Sequence, residues 1–263
     1  MADSIDGDQF VFVKKKKSAK PRRLCDKKET VLLSTADPEA CLKSITHAKF
    51  DLKESQFFNN FLEIFKNIIS EKDCELSEIV CLGIGSISSC KTAQYQLALL
   101  LLLVEHFNCP AEVFDPIFSD TEKLILQNLL LQISKENSEG KVSVRSSGLT
   151  FFFLPHCPKE LSNNLLYSNW NCSSLERCII YGNSLEKLML STPSRFLRDY
   201  CYLISCQKVS EELPVSNSFR YLDIFNDLSL IHFPVRLLKD VPEPFWEAVE
   251  PSYPVESELI KEK

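Results

Sequence analysis

The stretch IVCLGIGSISSCKTAQYQ, Ile79 to Gln96, leaves this chain little choice of fold. Four apolar residues, Ile79 to Leu82, read as a buried strand, and Gly83 and Gly85 read as a tight turn. A helix then opens, with Ser88 or Ser89 as its expected N-cap. A strand that runs through glycine into a helix N-terminus aims several backbone N–H groups at one point. That point favours an anion.

The flanking sequence repeats this pattern. Phe57, Phe58, Phe61, Leu62, Phe65, Ile68 and Ile69 recur at helical spacing and predict an amphipathic helix over 54–70. The helix over 88–107 contains Leu97–Val104, apolar almost all round, so it should be deeply buried. Ala111–Phe114, Lys141–Val144, Thr150–Leu154, Arg177–Tyr181, Leu213–Val215 and Leu228–Phe233 read as strands. Helices over 119–134, 159–167 and 193–200 fill gaps between them. Uniformly apolar strands alternating with helices predict an α/β protein, Rossmann-like and doubly wound, with a mainly parallel sheet and helices on both faces. The strands at 79–82, 111–114, 150–154 and 177–181 are expected to be parallel neighbours.

Charge divides the chain. Lys14 to Lys28 holds nine Lys/Arg and one acid, a local +8, while the whole chain carries −6. Residues 1–30 therefore read as a flexible basic tail, 31–240 as the α/β domain, and 241–263 as a Pro/Glu-rich C-terminal tail. The acidic body argues against direct nucleic-acid binding. The run Lys14–Arg23 reads either as a solvated linker or as a nuclear-import or polyanion-binding patch, so the expected location is cytoplasmic, and also nuclear if the run is an import signal. Eleven scattered cysteines without a C-x-x-C pair suit a reduced compartment. The longest apolar run has eight residues, far short of the roughly 20 that span a bilayer, so no membrane association is expected.

In a doubly wound sheet the ligand site lies beyond the carboxyl ends of the strands. That rule gathers Gly83, Gly85 and Ser86, then Asp115, then His156 and Cys157, then Asn183 and Ser184. The Gly-x-Gly-Ser turn lacks the third glycine of the dinucleotide fingerprint, so it reads either as a phosphate or S-adenosylmethionine cradle or as a plain turn that needs positive φ. Asp115 stands where a ribose-binding acid would, and equally where an aspartate terminates a strand before Pro116. His156 and Cys157 suit acid–base chemistry, metal ligation or simple pocket shaping. No second pair is spaced for zinc, so no metal site is expected. Asn183 and Ser184 suit a ligand contact or an Asx-type turn. Gly140, in the polar stretch SKENSEGK, is expected to tolerate valine better than Gly85 does.

CLGIGSISSCKTAQYQLALLLLL (Cys81 to Leu103), VFDPIFSDTEKLIL (Val113 to Leu126), TFFFLPHCPKELSNNLLYSNW (Thr150 to Trp170), IIYGNSL (Ile179 to Leu185) and FNDLSLIHFP (Phe225 to Pro234) occur in this order. Together they resemble the sensitivity-to-red-light-reduced-like family, the SRR-like proteins, over about residues 75–235. One departure is Leu185, where the family tends to have Phe. The resemblance implies a regulatory role, in circadian rhythm and clock-gene expression, in plant light signalling and in haem biosynthesis. It implies no enzymatic activity, and protein partners are expected. The alternative is a small-molecule enzyme that binds a nucleotide or an S-adenosylmethionine-type ligand, so an adenine-containing ligand is one candidate cofactor, and haem, sensed directly, is the other. Cys157, followed by Pro158, is the candidate haem ligand, with its sulfur held outward.

Overall fold

The computed structural model describes residues 37–145, 148–254 and 257–260. The basic run Lys14–Lys28 and the apolar Phe10–Val13 lie outside them. Two helices come first. In α1 (Pro38–Lys53) the Asp37 side chain caps the start and Pro38 stands in the first turn. Its buried face, Cys41, Ile45, Ala48 and Leu52, repeats at helical spacing, a signal weaker than the phenylalanine stripe that follows it. In α2 (Gln56–Lys72) Ser55 is the N-cap, its hydroxyl accepting the Phe58 amide at 3.1 Å.

The remaining elements alternate. β1 (Leu76–Leu82) leads to α3 (Lys91–Phe107), β2 (Ala111–Phe114), α4 (Asp120–Asn128) and β3 (Gln132–Ile133). β4 (Leu149–Leu154), α5 (Lys159–Ser168), α6 (Cys172–Leu175) and β5 (Cys178–Asn183) follow. After α7 (Leu185–Ser191), α8 (Ser194–Leu197) and α9 (Cys201–Cys206) come β6 (Glu211–Pro214), β7 (Leu228–His232) and α10 (Val235–Lys239).

The seven strands form one mixed sheet in the order β3-β2-β1-β4-β5-β7-β6. Pairings β2–β3, β1–β2, β1–β4 and β4–β5 are parallel, so the four expected neighbours do lie side by side and parallel. β7 runs antiparallel to both β5 and β6. One register row crosses six strands, Val113–Cys81–Phe153–Tyr181–Leu230–Leu213. Side chains alternate across a sheet, and the core divides accordingly. Cys81, Phe153 and Tyr181 pack with α1, α2 and α3, whereas Val80, Phe152 and Ile180 pack with α5 and α9.

The phenylalanine stripe of α2 covers the first layer. Phe61 meets the Tyr181 ring edge-on at 5.0 Å, and Phe65 lies 4.5 Å from Phe151. Each fully buried phenylalanine contributes roughly 1.5–3 kcal/mol of hydrophobic stabilisation. Lys72 ends the helix by donating to the Glu176 and Phe233 carbonyls at 2.6 and 3.1 Å, which ties α2 to the far side of the sheet. Burial pushes its ammonium pKa down.

Three sequence readings change. The helix expected over 119–134 ends at Asn128 because Leu130 adopts a left-handed φ of 61°, and the chain then supplies β3. Lys141–Val144 is a loop rather than a strand, held by the Val144 amide on Asn169 Oδ1 at 2.9 Å. The N-cap of α3 is Cys90, without a side-chain bond, because Ser86, Ser88 and Ser89 are engaged elsewhere. His232 is a satisfied core histidine, 3.3 Å from Glu211, and burial lowers its pKa. Residues after α10 pack on the domain. Trp170 Nε1 donates to the Phe245 carbonyl at 2.8 Å, and Tyr202 bonds both Val249 backbone groups at 2.7 Å.

Candidate functional site

The turn after β1 has positive φ at both glycines, 68° at Gly83 and 83° at Gly85. β2 fastens it at two points. The Gly83 amide donates to the Phe114 carbonyl at 3.0 Å, and the Gly85 amide donates to Asp115 Oδ2 at 2.7 Å. Asp115 Oδ1 accepts the Ile117 amide at 3.0 Å. The aspartate thus closes the turn before Pro116 and occupies the glycine amide as well. Asp115 as a whole is 8% exposed.

Glu122, which lies outside the strand-end motifs, completes the closure. Its Oε1 accepts from Ser86 Oγ (2.7 Å), Ser88 N (3.0 Å) and Ser88 Oγ (2.9 Å). Its Oε2 accepts the Ser119 amide and hydroxyl, both at 2.9 Å. Burial alone would raise the pKa of this carboxyl. The Ser119 and Ser88 amides and the Ser86 and Ser119 hydroxyls outweigh that and hold it at about 2. A signal was present, since Ser119-Asp-Thr-Glu122 is a capping box and both of its bonds form. The loop that could cradle an external anion therefore holds the protein's own carboxylates.

Cys157 faces inward. Its thiol donates to the Leu82 carbonyl at 3.0 Å, and a Cβ built on Gly83 would lie 2.7 Å from its sulfur. Gly83 is needed for that close approach as well as for its φ. Burial, with Asp115 nearby, pushes the thiol pKa well up. The sulfur is thus not held outward, because the bond to Leu82 draws it under the turn.

The other candidates fall in two further places. His156 is exposed, with φ at 54°, and its Nε2 donates to the Ile224 carbonyl at 3.2 Å. Asn183 donates to the Cys157 carbonyl at 2.7 Å and so supports the same loop. Ser184 caps α7 by accepting the Lys187 amide at 3.2 Å, and it lines a separate cavity of about 310 Å3 with Lys187, Glu212 and Asp227. The structure joins Gly83 and Asp115 in one cleft of about 200 Å3 but leaves His156, Asn183 and Ser184 out of it. Gly140 lines that cleft too, at φ 86°, with a built Cβ 2.5 Å from the Leu161 carbonyl oxygen. It is a constrained glycine, contrary to its reading as part of a polar loop. Among the described residues no group of three or more His, Cys, Asp or Glu could hold a metal ion, and no helix is long and apolar enough to cross a membrane.

Residues 47–232 match the SRR1 domain family. The chain belongs to that family. Relatives of this SRR1-family chain include an SRR1-like protein of Mus musculus, 34% identical over 68% of this chain and 84% of the relative. An SRR1-like protein of Drosophila melanogaster is 32% identical over 81% of this chain and 75% of its own. The Arabidopsis thaliana protein SENSITIVITY TO RED LIGHT REDUCED 1 is 28% identical, over 73% of this chain and 74% of that protein. The matched region holds the glycine turn, Asp115, Glu122 and Cys157.

Proposed function

We propose that this SRR1-family chain is a regulatory protein that acts through protein partners in circadian control of gene expression and in haem biosynthesis, in the cytoplasm and the nucleus. The name of the Arabidopsis relative, with its reduced sensitivity to red light, supports a regulatory role. One observation carries the non-catalytic part of the reading. The Gly85 and Ser88 amides, the groups a phosphate would need, are bonded to Asp115 and Glu122. A buried, hydrogen-donating Cys157 likewise speaks for haem regulation through a partner rather than through thiolate ligation. The test is complementation of cells that lack the protein, with wild type and with Leu161→Trp, which fills the Gly83–Asp115 cleft. Restored clock-gene rhythm and haem level by both proteins are expected. Loss of both by a folded Leu161→Trp protein refutes the reading.

A second reading has its own observation. The strand order, a parallel core with an antiparallel β7 between β5 and β6, supports a Rossmann-like, doubly wound domain of the kind used by S-adenosylmethionine-dependent methyltransferases. On that reading the cleft at Gly83 and Asp115 takes a nucleoside-type ligand. A thermal-shift series with S-adenosylmethionine, ATP, NAD and haemin tests it, since a ligand of the native state raises the melting temperature.

A further inference from the structure

The cleft beyond β1 and β2 contains a piece of the chain from far along the sequence. Gly83, Phe114, Asp115, Ile117 and Leu161 form its floor and sides, and Glu258, Leu259 and Ile260 form another wall. Leu259 is 8% exposed, although its segment has no regular secondary structure. The Ile260 carbonyl accepts from Asn137 Nδ2 at 2.8 Å. A neighbouring cavity of about 520 Å3 shares Phe114, Asp115, Pro116, Asn137 and Ile260, and Lys123 and Lys135 stand on its rim. The apolar slot alone, about 200 Å3, falls below the roughly 300–1,000 Å3 usual for ligand pockets. Ile260 stands in the wall of both spaces, so lifting this segment would join them.

We infer that this cleft is a binding site for an anionic nucleoside and that the segment Glu258–Ile260 is a strap which competes with the ligand for it. The inference rests on the small-molecule reading above. Leu259 supplies the apolar contact that a planar base would supply. Asp115 keeps acceptor capacity for ribose hydroxyls, since each of its oxygens holds one backbone amide. The anionic end points toward Lys123 and Lys135 because the glycine-turn amides are already bonded to carboxylates. A strap docked about nine-tenths of the time lowers apparent affinity about tenfold.

The test is calorimetric titration of the full chain with adenosine, AMP and S-adenosylhomocysteine, with hydrogen exchange followed at 257–260. Binding is expected, tighter for AMP than for adenosine, with faster exchange at 257–260 on saturation. Leu259→Glu and the gentler Leu259→Ala should each bind about tenfold more tightly, as removal of the competing strap requires. Equal affinity in all three proteins, with exchange at 257–260 unchanged by ligand, overturns the strap and leaves the nucleoside reading standing. No binding by wild type or either variant overturns both. AMP binding no tighter than adenosine removes the assignment to Lys123 and Lys135.

Discussion

The Gly85 amide and the Asp115 carboxylate meet at 2.7 Å, thirty residues apart in sequence, and so lock the turn after β1 to the end of β2. Replacing Asp115 by Ala would leave the Gly85 and Ile117 amides without their acceptor. An unpaired buried polar group costs about 1–3 kcal/mol. Urea denaturation of Asp115→Ala should show a loss of that size, and an unchanged midpoint would mean that water replaces the carboxylate freely.

Glu122 makes stability pH-dependent in acid. Its folded pKa, about 2, lies below the ordinary carboxylate value, which is near 4.3 in an unfolded chain. The stabilisation is therefore complete above about pH 4.3 and fades as pH falls toward 2, with a ceiling of about 3 kcal/mol. In denaturant titrations at pH 6 and pH 3, Glu122→Gln should lose less stability between the two pH values than wild type does. Parallel losses in the two proteins would deny Glu122 this role.

Gly83 and Cys157 should couple. Alanine at Gly83 meets both a left-handed φ, costing about 1–2 kcal/mol, and the Cys157 sulfur. Overpacking of this kind costs roughly a further 1–3 kcal/mol. Cys157→Ala removes the sulfur, so the double variant should be more stable than the sum of the single losses predicts. Strict additivity across the double-mutant cycle would show that the two sites do not touch.

Valine at Gly140 should be more damaging than valine at Gly85. Their φ values, 86° and 83°, are alike, so space decides. A Cβ at Gly85 has only Ala93 Cβ nearby at 3.9 Å, whereas at Gly140 it runs into the Leu161 carbonyl at 2.5 Å. Chemical denaturation of both variants gives the order directly.

The Tyr181 hydroxyl is fully buried and has no hydrogen-bond partner among the described residues. Burial drives its pKa far up. Tyr181→Phe removes an unpaired polar atom from the layer under α2, so it should leave the protein as stable or more stable, by up to about 1–3 kcal/mol. A lower melting temperature would reveal a buried water or another partner for this hydroxyl.

The central sheet was legible because its signal is local. Apolar runs such as Thr150–Leu154 and the phenylalanine spacing of α2 each report one element through its own periodicity. Leu130 gave no such warning, since a leucine rarely adopts positive φ, and the exposed Leu130 is held there by the helix-end bonds of its own amide to the Gln127 carbonyl and of the Leu131 amide to the Leu126 carbonyl. That Gly83 and Asp115 meet in one cleft was also legible, from strand ends. Its closure was not. Glu122 and Leu259 reach the site from 39 and 176 residues beyond Gly83, and a carboxylate satisfied by five donors looks, in sequence, like any surface glutamate in a capping box.

The insertion of β7 between β5 and β6 also governs how the sheet can be assembled. β6 makes no ladder to β5, so Glu211–Pro214 has no place in the sheet until Leu228–His232 has been added. As the polypeptide leaves the ribosome, β5 stays an uncovered edge over that interval. It is apolar on both faces, the kind of edge that recruits foreign strands. Chaperone dependence and aggregation should therefore concentrate in nascent chains stalled between residues 183 and 228, and should ease once the antiparallel strand has closed the edge.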